Sequence, residues 1–169
     1  GAYLLPFFDI CSATYTEDAA SLKNWSCGAA CAATPVQPAP DGGSPARVQV
    51  APYKPWTHLD VHDDTALRSL VTRPSDKPWS DVPANACVVA FRGTHVDLNW
   101  VTDFDIVEVD VPAWGVPGGK VHEGFYSAYQ ALEPDILKAL KDLDCKTVAT
   151  TGHSLGGAVC YAVAPRVSA

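Results

Sequence analysis

At 169 residues the chain is long enough for one domain with a sizeable core. Its net charge of −7 argues against a general nucleic-acid binder and against electrostatic attraction to anionic lipid, and leaves apolar contact with a lipid surface open. No apolar run approaches the roughly 18 residues that a membrane-spanning helix needs. Three features point to a secreted, disulfide-bearing protein: an even count of six cysteines, a start at Gly1 rather than Met, and the Asn24-Trp25-Ser26 sequon, which offers an N-glycan site at Asn24. A reduced cytosolic protein is the alternative.

In chain order, residues 3–31 read as one or two amphipathic helices ending near Cys27 and Cys31. Residues 34–47 hold four Pro and two Gly and read as a loop. Short apolar runs at 48–51, 58–62 and 66–73 are predicted strands, and 73–85 is a second loop. "CVVAF" (87–91) is apolar throughout, as a strand buried on both faces must be, and predicts a parallel pairing. Residues 99–111 pass from a helical turn into an alternating strand, and Pro117-Gly118-Gly119 marks a turn. Over 123–143, Phe125, Tyr129, Leu132, Ile136, Leu137 and Leu140 recur at helical spacing, with Pro134 expected to bend or restart the helix. "KTVATT" (146–151) is the next buried strand and 154–164 the next helix, stopped near Pro165. Apolar strands alternating with helices predict an α/β protein with a mainly parallel sheet.

Gly152-His153-Ser154-Leu155-Gly156 fits G-x-S-x-G, with an apolar strand entering and a small-residue helix leaving. The chemistry explains the residue types. A nucleophilic Ser154 on a strained strand-to-helix turn needs Gly152 and Gly156, where a β-carbon would collide. Gly157 and Ala158 let the helix lie close to the sheet. The amide of Leu155, at the helix N-terminus, points at a developing oxyanion. A glycine-rich helix start that merely packs closely is the alternative. His153 adjoins the serine, but neighbours on a sharp turn diverge, so it is read as structural and not as the base.

Three motifs follow one another at a characteristic spacing: "VVAFRGTHVDLNWVTDFD" (88–105), "KVHEGFYSAY" (120–129) and "TGHSLGGA" (151–158). Together they resemble the class 3 lipases, the group of fungal-type triacylglycerol lipases and feruloyl esterases. "SLKNWSCGAAC" (21–31) also resembles the Trp-Cys region near their N-termini. The resemblance implies an α/β-hydrolase fold, with residues 1–169 as a single domain forming its N-terminal part and the C-terminal strands lacking. It implies an oxyanion hole made by Thr94, through its backbone N–H and hydroxyl, opposite the N–H of Leu155. It implies a lid over about His95–Phe104 with Leu98, Trp100, Val101 and Phe104 as its apolar members; ordinary core burial is the alternative for Trp100. His122 is implied to lie near the site without being the triad base. A local Cys27–Cys31 disulfide is also implied. Cys87 and Cys145 begin two strands expected to be neighbours and are either bonded or free. Cys160 is read as a buried thiol, and Cys11 has no evident partner.

The family's triad runs Ser, then Asp or Glu, then His along the chain. Only fifteen residues follow Ser154 here, and none is Asp, Glu or His. His58, His62, His95 and His122 lie upstream, but nothing in their setting places one beside Ser154. Without later strands the nucleophile strand would be an apolar edge, which invites aggregation. The preferred resolution is a second polypeptide, the C-terminal part of the same precursor, docked after cleavage near Ala169 and carrying the catalytic Asp and His. A truncated, inactive form competes with it. The expected function is a serine ester hydrolase acting on acylglycerols. The alternatives are a feruloyl-type or short-chain carboxylesterase, and a non-catalytic module that binds lipid or a partner. No cofactor is implied, and no metal, because paired Cys or His clusters do not appear.

Overall fold

The computed structural model describes residues 5–51, 67–75, 86–93, 107–111 and 118–167. The predicted strand at 58–62, residues 76–85, Thr94 and the 95–104 segment lie outside the described residues. The elements in chain order are α1 (Leu5–Ala13), α2 (Ala19–Lys23), α3 (Ala29–Ala33), β1 (Ala46–Ala51), β2 (Leu67–Thr72), β3 (Ala86–Phe91), β4 (Glu108–Asp110), β5 (Lys120–His122), α4 (Glu123–Asp142), β6 (Thr147–Gly152) and α5 (Leu155–Val167).

The N-terminal helical region is broken into three pieces for local reasons. Asp18 caps α2 by accepting from the N–H groups of Ala20 and Ser21 at 2.9 and 3.2 Å. Trp25 and Gly28 then take left-handed backbone, φ 56° and 74°, which ends α2 and redirects the chain into α3. The Cys27–Cys31 disulfide spans that last turn, as the resemblance implied.

The main sheet runs β1-β2-β3-β6. The parallel pairing expected of the two apolar strands is found at β3–β6, in register from Ala86↔Thr147 to Phe91↔Gly152. β1–β2 and β2–β3 are antiparallel, so the sheet as described is mixed. β4 and β5 form a separate antiparallel pair. Every residue of β3 is buried, and its side chains alternate between two cores, as a strand's period of two requires. Cys87, Val89 and Phe91 pack with Tyr129, Leu132, Ile136 and Val159 under α4 and α5. Val88 and Ala90 pack with Ile10, Leu22 and Leu70 under α1 to α3. The Cys87–Cys145 disulfide ties the start of β3 to the approach to β6, which settles the open alternative in favour of the bond.

α4 continues through Pro134 without the restart that the proline allows. α5 likewise continues past Pro165 to Val167. A helix proline removes one N–H, which would otherwise bond the carbonyl four residues earlier. Those carbonyls belong to Gln130 and Tyr161, both exposed residues on the water side of their helices. Of the apolar series predicted on α4, Tyr129, Leu132 and Ile136 are buried and Phe125 and Leu140 partly so, whereas Leu137 falls off the stripe and is exposed.

Candidate active site

The strand-to-helix turn between β6 and α5 has the geometry that the glycines demanded. Ser154 is exposed and sits at φ 54°, a left-handed conformation uncommon outside glycine. A β-carbon on Gly152 would stand 2.3 Å from the Gly156 carbonyl oxygen. One on Gly156 would stand 2.1 Å from the Phe91 carbonyl oxygen, so the first turn of α5 lies directly on the end of β3. These two contacts hold the serine in its strained position. Leu155 is the first residue of α5, which puts its N–H among the unpartnered donors at the positive end of the helix.

Gly93, the last described residue after β3, closes on the same turn. A β-carbon there would lie 2.5 Å from the His153 carbonyl oxygen and 3.3 Å from Ser154 Cβ. The chain therefore passes against the serine one residue before Thr94. Thr94 itself, and Leu98, Trp100, Val101 and Phe104 of the expected lid, lie outside the described residues.

His153 has a structural partner. Its Nδ1 stands 3.1 Å from the Tyr15 hydroxyl. The same hydroxyl accepts a 3.0 Å hydrogen bond from the Gly93 N–H. Tyr15 was not legible as a site residue, because it lies 138 positions from His153 and belongs to no motif. His122 caps α4, its Nδ1 accepting from the Gly124 N–H at 3.1 Å, and its ring lies against Phe125. Cys160, on α5 beneath the turn, is a buried thiol pushed up to about 12, chiefly by burial and further by the neighbouring Cys11. Its sulfur is thus neutral at ordinary pH and no rival to the serine.

A cleft of about 510 Å³ opens beside the turn, between Phe7, Phe8 and Tyr15 on one side and Thr151, Gly152 and His153 on the other. Among the described residues, no cluster of three or more His, Cys, Asp or Glu is arranged to hold a metal ion, and no helix is long and apolar enough to cross a membrane.

Comparison with known proteins agrees with this geometry. Residues 88–168 match the family described as Lipase (class 3). The chain is 39% identical over 74 residues to a lipase of Rhizomucor miehei, a match covering 41% of this chain and 20% of that protein. It is 36% identical over 80 residues to the secreted mono- and diacylglycerol lipase A of Penicillium cyclopium, covering 44% of this chain and 25% of that protein. The crystal structure of a lipase from Rhizopus microsporus var. chinensis superposes with a TM-score of 0.59 at 20% identity, over 97% of this chain and 51% of that one, which speaks for the fold alone. The matches thus span a fifth to a quarter of the two sequence relatives and about half of the structural one. The described sheet and helices are part of an α/β-hydrolase fold, and residues 88–168 are similar to the class 3 lipases.

Proposed function

We propose that this chain carries the nucleophile of a secreted serine ester hydrolase acting on acylglycerols. The observation that carries the reading is Ser154 itself: exposed, left-handed, and wedged between two glycines that no larger residue can replace. In this reaction the Ser154 hydroxyl attacks the ester carbonyl and loses its proton to a histidine base. The oxyanion is held by the N–H of Leu155 and by the N–H and hydroxyl of Thr94. Collapse expels the alcohol and leaves an acyl-enzyme, which water hydrolyses with the same base. The base and its carboxylate partner come from a second chain, the C-terminal part of the same precursor, which also pairs with the open edge of β6. Leu98, Trp100, Val101 and Phe104 form an apolar lid that opens on a lipid surface.

The acylglycerol class is supported by the printed name of the Penicillium relative, and secretion by that name together with the two disulfides. Asn24, exposed at the end of α2, is the proposed N-glycan site.

The test is labelling of the native protein by a fluorophosphonate, with Ser154→Ala as control. Covalent labelling lost in the variant supports the reading, and an inert serine in the native form overturns it. Intact mass under native and then denaturing, reducing conditions reads the second chain: a single 17.9 kDa species in both rejects it. Equal rates on soluble and emulsified ester would remove the lid from the mechanism.

A further inference from the structure

Resting on the serine-hydrolase reading, we propose that Tyr15 is a positioning residue that sets the width of the oxyanion hole. The β3–β6 ladder ends at Phe91↔Gly152. Past that pair the ladder's pairing stops, yet the two chains stay in contact at Gly93 and His153, just before Ser154. The Tyr15 hydroxyl bridges them where the ladder stops. It accepts the Gly93 N–H at 3.0 Å and meets His153 Nδ1 at 3.1 Å. With Nδ1 unprotonated, the hydroxyl donates its proton there, and both of its bonds are satisfied at once. The fit is close, since a β-carbon on Gly93 would stand 2.6 Å from the hydroxyl oxygen.

The tyrosine is itself held from behind. Its turn follows α1, with the Thr14 hydroxyl donating to the Cys11 carbonyl at 2.6 Å. The Arg68 guanidinium, from β2, donates to the carbonyls of Thr14 and Thr16 on either side of Tyr15. The ring is thus anchored to the central sheet and carries that rigidity to both loops. Burial pushes the phenol up, so the hydroxyl keeps its proton. Tyr15 acts through Gly93 and His153. An oxyanion hole needs this precision, because its donors must lie within hydrogen-bonding distance of an atom that is charged only in the transition state.

The experiment is Tyr15→Phe in the native protein, with its second chain where one is present. Since a misplacement of about 1 Å can lower a rate by roughly 100-fold, kcat on a soluble ester is expected to fall about 10- to 100-fold. KM should stay within about twofold, and a trifluoromethyl ketone, which mimics the tetrahedral adduct, should bind more weakly by the same factor as kcat. The melting temperature should move by only a few degrees. A kcat within about twofold of wild type overturns the proposal. So does a fall in kcat accompanied by a rise in KM and a large drop in melting temperature, which marks a merely structural tyrosine. Independently of the variant, the wild-type Gly93 amide should exchange slowly with solvent although it lies beyond the ladder; fast exchange also overturns the bridge. The two readings fail differently. A wild-type protein inert to fluorophosphonate sinks the hydrolase and Tyr15's role with it, whereas a Tyr15→Phe protein that labels at the wild-type rate sinks Tyr15 alone.

Discussion

β3 and β6 are parallel neighbours of equal length, yet they live in different surroundings. β3 has a strand on each side and a core on each face, and all six of its residues are buried. β6 is the last strand of the described sheet, and not one of its residues is fully buried. The difference separates two tasks. β3 supplies the rigid floor, and β6 carries the reactive turn at its end. The floor reaches the turn through backbone contact rather than side chains, at Gly93 against His153 and at Phe91 against Gly156.

The sharpest way to break this division is at Gly156. An alanine there meets the Phe91 carbonyl, which belongs to the rigid floor and cannot yield, so Gly156→Ala should destabilise by about 3 kcal/mol or prevent folding. Gly157→Ala, whose nearest obstacle is the Gly152 carbonyl at 3.2 Å, should cost below about 1 kcal/mol. Chemical denaturation of both variants reads the contrast; equal losses would remove the special contact between α5 and β3. Next in size is the disulfide. Cys87→Ala with Cys145→Ala unties the far ends of the two strands and should lower stability by about 3 kcal/mol. Truncation within the strands then compares them directly. Val89→Ala in β3 should cost about 2 kcal/mol and Val148→Ala in β6 below about 1 kcal/mol, because only Val89 is wholly enclosed. Equal costs would show β6 to be covered as fully as β3 in solution, as a docked second chain would make it.

A last contrast is read in alkali. Cys160 lies between α5 and the two strands, with Thr150 of β6 and the Phe91 backbone as hydrogen-bond partners. Burial raises its thiol from an ordinary 9.0 to about 12. The unfolded chain therefore loses this proton first as pH rises. Stability is intact below pH 9.0 and should fall by about 1.4 kcal/mol per pH unit between there and 12. Cys160→Ala should flatten that slope. An unchanged slope would mean that water reaches the space under α5.

The same contrast explains what could be read before the structure. "CVVAF" announces itself because a strand flanked by helices on both faces must be apolar nearly throughout, and the turn after "KTVATT" is marked by glycines with no other reason to be there. "KTVATT" itself, expected to be buried, is only half-buried, because β6 ends the described sheet and its threonines and lysine are not core residues. The strand Lys120–His122 carries no such signal. It has three residues, pairs among the described residues with the equally short Glu108–Asp110, and sets a half-buried Val121 against the core. The continuation of α5 past Pro165 was hidden because a proline reads as a stop unless one knows which carbonyl faces water. Cys87 and Cys145 could be placed at neighbouring strand starts, but their bond depends on a backbone separation, 5.2–5.6 Å in the two disulfides found, that spacing along the chain does not encode. Tyr15 was out of reach for a similar reason. Its role depends on two loops meeting in space, and one aromatic residue in a polar turn looks like any other.

The left-handed backbone at Ser154 sets stability against chemistry at a single codon. A serine in that conformation stores about 1 kcal/mol that glycine would release. Ser154→Gly should therefore yield a hardier protein with no nucleophile. A library ranked only by heat resistance would drift towards that glycine, and a lineage that keeps the serine is one in which the hydroxyl has been under selection.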